Sequence, residues 1–279
     1  MKATVNRIIE HSLIDGPGNR LVVFLQGCNL ACNYCHNPET QRVCVDCGEC
    51  VATCPAGALS LVDGRVVHDP GRCRSCDTCL KVCPHFSSPK YRLVDVNEVH
   101  ARLLELQDFL DGVTVSGGEC TLQHEFVAEL FRRVKADTSL TTFIDTNGQM
   151  SQEALETLLP VTDGFMFDLK ALDADKHTQL TGADNRVILE NIARTSREGH
   201  LHEVRTVIVE GFTDDEAEIT AIARLVKGLD GRTRLRLIPF RPNGVKTELA
   251  RLPAFDRARY ESLCLVAERE LGGRVVRSR

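Results

Sequence analysis

Cys28, Cys32 and Cys35, in the stretch LQGCNLACNYC, stand one ligand short of an ordinary metal site. Structural zinc is closed by four protein ligands and a common iron–sulfur cube by four thiolates, so three close cysteines describe a site left open on one side. An open coordination position is where a metal centre does chemistry.

The chain holds 13 cysteines, many for a reducing compartment where disulfides do not persist, so ligation is their expected use. All but Cys120 and Cys264 lie between Cys28 and Cys83, and those two read as small buried hydrophobes. After the opening trio, CVDCGECVATCP (44–55) and CRSCDTCLKVCP (73–84) align cysteine for cysteine and end in the same Cys-Pro. Each copy reads C-x2-C-x2-C-x3-C-P, the bacterial ferredoxin run, in which the fourth cysteine serves the other copy's cluster. The expected quartets are Cys44, Cys47, Cys50 and Cys83 for one [4Fe-4S] cluster and Cys73, Cys76, Cys79 and Cys54 for the second. A pair of zinc sites is the alternative, since C-x2-C is also a zinc spacing, but zinc has no use for the third cysteine or the repeated Cys-Pro. Residues 40–90 thus read as a ferredoxin-like insertion, rich in turns and held together by metal where apolar content is too low.

The elements that must position the trio lie in residues 1–39 and 91–279. Strand-like runs recur at 20–27, 112–118, 141–148, 164–170, 203–209 and 234–240. Helical spacing appears between them: Val99, Leu103, Leu106 and Leu110 on one face, then Phe126, Val127, Leu130, Phe131 and Val134 on another. Ser151 is expected to cap the next helix, Pro160 to close it, and Thr213 with Glu216 to form a capping box for a helix through 226, before a last helix over 255–271. Six βα units with right-handed crossovers give an α/β fold, a partial (β/α)6 TIM-type barrel carrying the insertion. Such barrels work at the C-terminal ends of their strands. Here those ends carry the cysteine trio, SGGE, DTNG, DLK and PFRPNG, too much polar chemistry for plain turns.

The 279 residues are 43% hydrophobic with a net charge of −5 and no basic stripe, which argues against nucleic acid as a partner. Apolar runs such as LVVFL are too short to span a bilayer, and MKATVNRIIEHSLIDG lacks a secretory core, so a cytoplasmic protein is expected.

The trio, with aromatic Tyr34 before its last cysteine, resembles the C-x3-C-x-φ-C signature of the radical S-adenosylmethionine superfamily. Three cysteines then leave one iron for the amino and carboxylate groups of S-adenosylmethionine. DGPGNRLVVFLQGCNLACNYCHNPET further resembles the activating enzymes of glycyl-radical enzymes, and the eight-cysteine insertion is similar to the subgroup with two extra clusters, the YjjW-type activases most of all. The resemblance implies that Gly117, Gly118 and Glu119 meet the methionine amino group, while Asp145, Thr146, Asn147, Asp168 and Lys170 meet the methionine and ribose parts. It implies that His36 and Asn37 shape the adenine end, and that Asp145, Thr146, the Met166 carbonyl and Asp168 match a monovalent cation site. Arg241 stands where the family has a histidine near the sixth strand, and an arginine does not titrate as histidine does.

The activity implied is reductive cleavage of S-adenosylmethionine to a 5′-deoxyadenosyl radical that takes a hydrogen atom from a glycine Cα of a partner glycyl-radical enzyme. Three oxygen-labile clusters imply anaerobic work, with a flavodoxin or ferredoxin as electron donor. The insertion is expected to relay electrons, with docking of the partner as its other reading, and the chain to act as a monomer. Two rivals stand beside this. A radical enzyme acting on a small molecule or peptide is disfavoured because the extra clusters follow the first strand. A non-catalytic electron carrier would leave the open site and the strand-end motifs without use.

Overall fold

A computed structural model describes residues 1–278. In chain order the elements are β1 (Lys2–Ser12), β2 (Arg20–Leu25), α1 (Glu49–Thr53), β3 (Leu59–Val62), β4 (Arg65–His68), α2 (Thr78–Val82), β5 (Arg92–Asp95) and α3 (Val96–Leu106). They continue as β6 (Gly112–Gly117), α4 (His124–Asp137), β7 (Thr141–Thr146), α5 (Gln152–Leu158), β8 (Gly164–Asp168), α6 (Ala174–Thr181), α7 (Arg186–Arg197), β9 (Leu201–Ile208), α8 (Glu216–Lys227), β10 (Arg234–Pro239), α9 (Arg257–Leu271) and β11 (Val275–Arg277).

One sheet runs β11-β10-β9-β8-β7-β6-β2-β1-β5. The six expected strands, β2 and β6 to β10, are its parallel centre, each joined to the next through helix. This is the α/β fold of a partial barrel. Every residue of β2 is buried, as a strand covered on both faces requires. The sheet also has edges that the motifs did not announce: β1 runs antiparallel to β2, β5 antiparallel to β1, and short β11 lies parallel to β10.

Arg20 stands at the N-terminal end of β2, fully buried. Its guanidinium donates to the Thr114 hydroxyl at 2.7 Å, the Val113 carbonyl at 2.8 Å, and the carbonyl and hydroxyl of Thr141 at 2.9 Å. It lies 4.4 Å from the centre of the Phe143 ring, and burial lowers its pKa to about 10. One side chain thus ties the starts of three strands.

Ser151 caps α5 as expected, its hydroxyl accepting from Ala154 N–H at 3.1 Å. The capping box at Thr213 is not what forms. Asp215 caps α8 instead, accepting from Glu218 N–H at 2.8 Å, while the Thr213 hydroxyl donates to Val207 O and accepts from Val209 N–H. A carboxylate nearer the helix takes the orphan donor and leaves the hydroxyl to close the preceding turn. Cys120 and Cys264 are fully buried, as small hydrophobes.

Between β2 and β5 the chain forms a separate small unit. The hairpin β3–β4 and helices α1 and α2 enclose an apolar cluster of only Cys50, Leu59 and Cys79, with Val51, Cys54, Val66 and Leu80 partly buried against it. Leu61, Val62 and Val67 of the hairpin remain exposed. So small a core cannot offset the conformational entropy of fixing the segment. Lys246, in the loop after β10, reaches across to it, donating to the carbonyls of Leu80 and Cys83 and lying 5.6 Å from the Phe86 ring.

Candidate active site

A cavity opens at the C-terminal ends of the parallel strands. Cys28, Cys32, Tyr34, Cys35, His36 and Asn37 reach its wall from the loop after β2, and Gly117 and Gly118 from the end of β6. Asp145, Thr146 and Asn147 come from β7 and its turn, Asp168 and Lys170 from β8 and its turn. Of the expected side chains, Glu119 and Arg241 lie outside this lining.

The cysteine loop is pinned rather than free. Ala31 N–H donates to Thr181 O at 2.9 Å and Asn33 N–H to Leu180 O at 2.8 Å, fastening it to the end of α6. Cys28 N–H donates to Gln41 O and Gly27 N–H to Thr40 O, both at 2.8 Å. Burial pushes the Cys28 thiol up to about 12, the Cys32 thiol to about 11, and Cys35 in the same direction. Left alone these sulfurs would stay protonated, and a metal centre would displace the protons, since a coordinating thiol is deprotonated outright. Leu30 N–H at 3.5 Å and Asn147 Nδ2 at 3.7 Å already point at the Cys28 sulfur.

Gly118 is where three backbones meet. A Cβ there would overlap the carbonyl oxygens of Gly27 and Thr40, so only glycine lets the SGGE turn sit against the cysteine loop. The Glu119 side chain is engaged within the chain. It is 1% exposed, and its Oε1 accepts from Thr121 N–H (3.0 Å), the Thr121 hydroxyl (2.6 Å) and the Thr146 hydroxyl (2.8 Å), while Oε2 accepts from Asn147 N–H (2.7 Å). It braces the end of β6 to the end of β7 behind the cavity wall.

Tyr34 is 3% exposed and its hydroxyl has no hydrogen-bond partner among the described residues. The Lys170 ammonium lies 5.7 Å from its ring and 2.8 Å from Asp168 Oδ2. An orphaned buried hydroxyl beside an ion pair, on a wall with three thiols, fits a polar cofactor that brings its own hydrogen-bonding groups. The His36 ring stacks on Phe240 with centroids 6.1 Å apart, and its Nε2 lies 2.8 Å from Arg241 O, so Arg241 meets the site through its backbone.

Arg205, from β9, was not among the expected residues. It is 8% exposed, donates to Asp145 Oδ1 at 3.1 Å and Glu203 Oε1 at 2.8 Å, and reaches the cavity wall. The Ser116 hydroxyl donates to the other Asp145 oxygen at 3.1 Å. Burial raises the pKa of Asp145 despite Arg205, with the nearby Asp168 carboxylate adding to the rise. The Asp145 and Thr146 side chains, two of the four groups matched to a cation site, are thus already engaged within the chain. The legible signal for Arg205 was a lone arginine inside the apolar run EVRTVIV.

Two smaller cavities lie in the unit between β2 and β5. One is lined by Cys44, Cys47, Cys50 and Cys83, the other by Cys54, Cys73, Cys76 and Cys79. Each takes three cysteines from one copy of the repeat and the fourth from the other. Among the described residues no three His, Cys, Asp or Glu side chains are gathered as a single-ion site.

The model of the Radical SAM superfamily matches residues 22–222. The chain belongs to the radical SAM superfamily. Within it, this radical SAM enzyme is 34% identical to the isethionate sulfite-lyase activating enzyme of Nitratidesulfovibrio vulgaris, over 86% of this chain and 84% of that one. It is also 34% identical to the (2S)-3-sulfopropanediol sulfolyase activating enzyme of Bilophila wadsworthia, over 80% of each. Its fold is similar to that of QueE from Escherichia coli, with a TM-score of 0.53 at 14% identity, covering 100% of this chain and 94% of that one. The relatives are activating enzymes of glycyl-radical enzymes, and the superfamily implies a [4Fe-4S] cluster with S-adenosylmethionine for this chain. Among the described residues no helix is long and apolar enough to cross a membrane.

Proposed function

We propose that Cys28, Cys32 and Cys35 hold the radical-generating [4Fe-4S] cluster of a glycyl-radical-enzyme activating enzyme, and that the two smaller quartets hold auxiliary [4Fe-4S] clusters. The observation that carries this is the single cavity in which the three thiols meet the ends of β6, β7 and β8. A [4Fe-4S] cluster held by these three thiols would supply the electron for reductive cleavage of S-adenosylmethionine, the chemistry by which a hydrogen atom would be taken from a glycine Cα of the partner.

The chain's own residues bind, orient and shield. The turn at Gly117 and Gly118 offers close backbone approach to the methionine end. Asn147 donates toward the Cys28 sulfur and to Asn29 Oδ1 at 3.0 Å, fixing the loop from the β7 side. Asp168 and Lys170 present an anion and a cation beside Tyr34, whose unpaired hydroxyl awaits a polar group. The apolar residues Leu30, Val207 and Ile238 complete the wall and keep water from a reactive carbon radical. No general base is required.

The crossed lining of the two smaller cavities supports the ferredoxin-like reading of residues 40–90 with the barrel formed by 1–39 and 91–279. The deciding experiment is anaerobic reconstitution, reduction, addition of S-adenosylmethionine and measurement of 5′-deoxyadenosine, with Cys32→Ala as control. Cleavage by the wild type and none by the variant supports the reading, and a candidate partner should then develop a glycyl doublet in EPR. A sample holding about twelve irons, as three four-iron clusters require, that yields no 5′-deoxyadenosine would overturn it.

A further inference from the structure

The two quartets differ in what surrounds them. Gln41 and Arg42 form the bridge from the trio to the first quartet. The Gln41 carbonyl accepts from Cys28 N–H at 2.8 Å, and Gln41 lines the main cavity with the trio. Arg42 pairs with Ser87 as a parallel bridge, its N–H donating to Phe86 O at 3.1 Å. Ser87 is 1% exposed, its hydroxyl lies 3.7 Å from the Cys83 sulfur, and it lines the first quartet's cavity. Two residues separate the trio's own backbone contact from a ligand of this quartet. Neither quartet shares a lining residue with the main cavity, so the difference lies in the Gln41–Arg42–Ser87 contacts, which run to the first quartet and not to the second. The buried Cys50 and Cys79, one from each quartet, share the small apolar cluster and so join the two.

The surface charges differ as well. Arg72 and Arg74 are exposed beside Cys73 and the exposed Cys76 of the second quartet, and Arg74 lines its cavity. Beside the first quartet the exposed Glu49 lines the cavity, and Asp46 sits between Cys44 and Cys47.

We infer that the quartets are stations in a fixed order. Cys44, Cys47, Cys50 and Cys83 form the inner one, coupled to the trio through Gln41, Arg42 and Ser87. Cys54, Cys73, Cys76 and Cys79 form the outer one, where Arg72 and Arg74 receive a one-electron donor protein with an acidic face. This rests on the three-cluster reading above. Each electron leaves the donor oxidised by one, reduces the outer station by one, and moves inward as each station is reoxidised in turn, ending at the trio.

The test is EPR on the fully reduced holoenzyme, where two nearby paramagnets broaden each other's signals. Wild type should hold about twelve irons, and Cys73→Ala/Cys76→Ala and Cys44→Ala/Cys47→Ala about eight each. The outer deletion should keep the broadening of the trio's signal, the one that S-adenosylmethionine shifts, and the inner deletion should abolish it. A second arm leaves all cysteines in place. Arg72→Glu, at a position outside both cluster cavities, should slow reduction of the trio's cluster by reduced flavodoxin several-fold at low salt, while reduction by dithionite and the iron content stay unchanged. Wild type holding about four irons would overturn the three-cluster reading and this inference with it. About twelve irons with the two deletions reversed in their effect would overturn the order alone. Equal slowing by Asp46→Lys/Glu49→Lys would overturn the entry face.

Discussion

Glu119→Ala should cost this protein stability before it costs it cofactor. The carboxylate is buried and accepts four hydrogen bonds, two of them from the backbone N–H groups of Thr121 and Asn147. The threonine hydroxyls can rotate to other acceptors, but the two N–H groups are fixed by the strand ends and would be left buried and unpaired. At about 1–3 kcal/mol for each orphaned donor the loss is about 4 kcal/mol, less whatever is recovered by removing a carboxyl whose pKa burial pushes up. For a chain of this size that lowers Tm by about 7 °C. Glu119→Gln keeps the shape and the Oε1 contacts but turns an amide donor on Asn147 N–H, so about half that loss is expected. Anaerobic thermal unfolding of the reconstituted proteins measures both, with the dissociation constant of S-adenosylmethionine taken alongside. Glu119→Ala melting within about 2 °C of wild type, while binding S-adenosylmethionine tenfold more weakly, would refute the brace and return Glu119 to the cofactor.

Gly118→Ala should cost about 2–4 kcal/mol in unfolding free energy and reduce iron at the trio, because the added methyl meets two backbone carbonyls that cannot swing away. Urea unfolding and iron analysis check it. His202 packs edge-on to Phe143 with centroids 5.0 Å apart, and burial, with Arg234 beside it, depresses its pKa to about 4. Only the unfolded chain protonates it between the ordinary histidine value and about 4, so stability should fall as pH drops through that window. Allowing for partial exposure, wild type should lose about 1–2 kcal/mol more than His202→Phe between pH 7.5 and 5, read from urea midpoints. Lys246→Ala removes the reach to Leu80 O and Cys83 O, and limited proteolysis should then cut within 40–90 several-fold faster while the barrel resists.

The barrel was legible because β2, β6, β7 and β8 are largely buried on both faces and read as nearly continuous apolar runs, while β10 alternates leucine with arginine at a strand's period. Most of the cavity was legible because the strand ends carry polar motifs at fixed places. Three kinds of feature were not. β1 alternates Ala3 and Val5 inward with polar residues outward, a period-two signal obscured by the charged turn-like residues around it. α6 is largely polar and depends on its Asp173 cap, whose carboxylate accepts from Asp175 and Lys176 N–H, more than on an apolar stripe. Glu119 and Arg205 are partners across strands distant in sequence, and only the fold reveals that one faces away from the cavity and the other into it. Thr213 failed as a cap because Asp215 competes for the same donors from a better position.

Arg20 has a kinetic meaning beyond tying three strands together. A buried guanidinium fills the barrel floor, so among the described residues the cavity that the trio lines opens at the opposite end of the strands. If the cofactor and the partner's polypeptide share that end, S-adenosylmethionine would have to be seated first, and its products would leave after the polypeptide withdraws. Such an order would tie one hydrogen abstraction to each encounter with the partner.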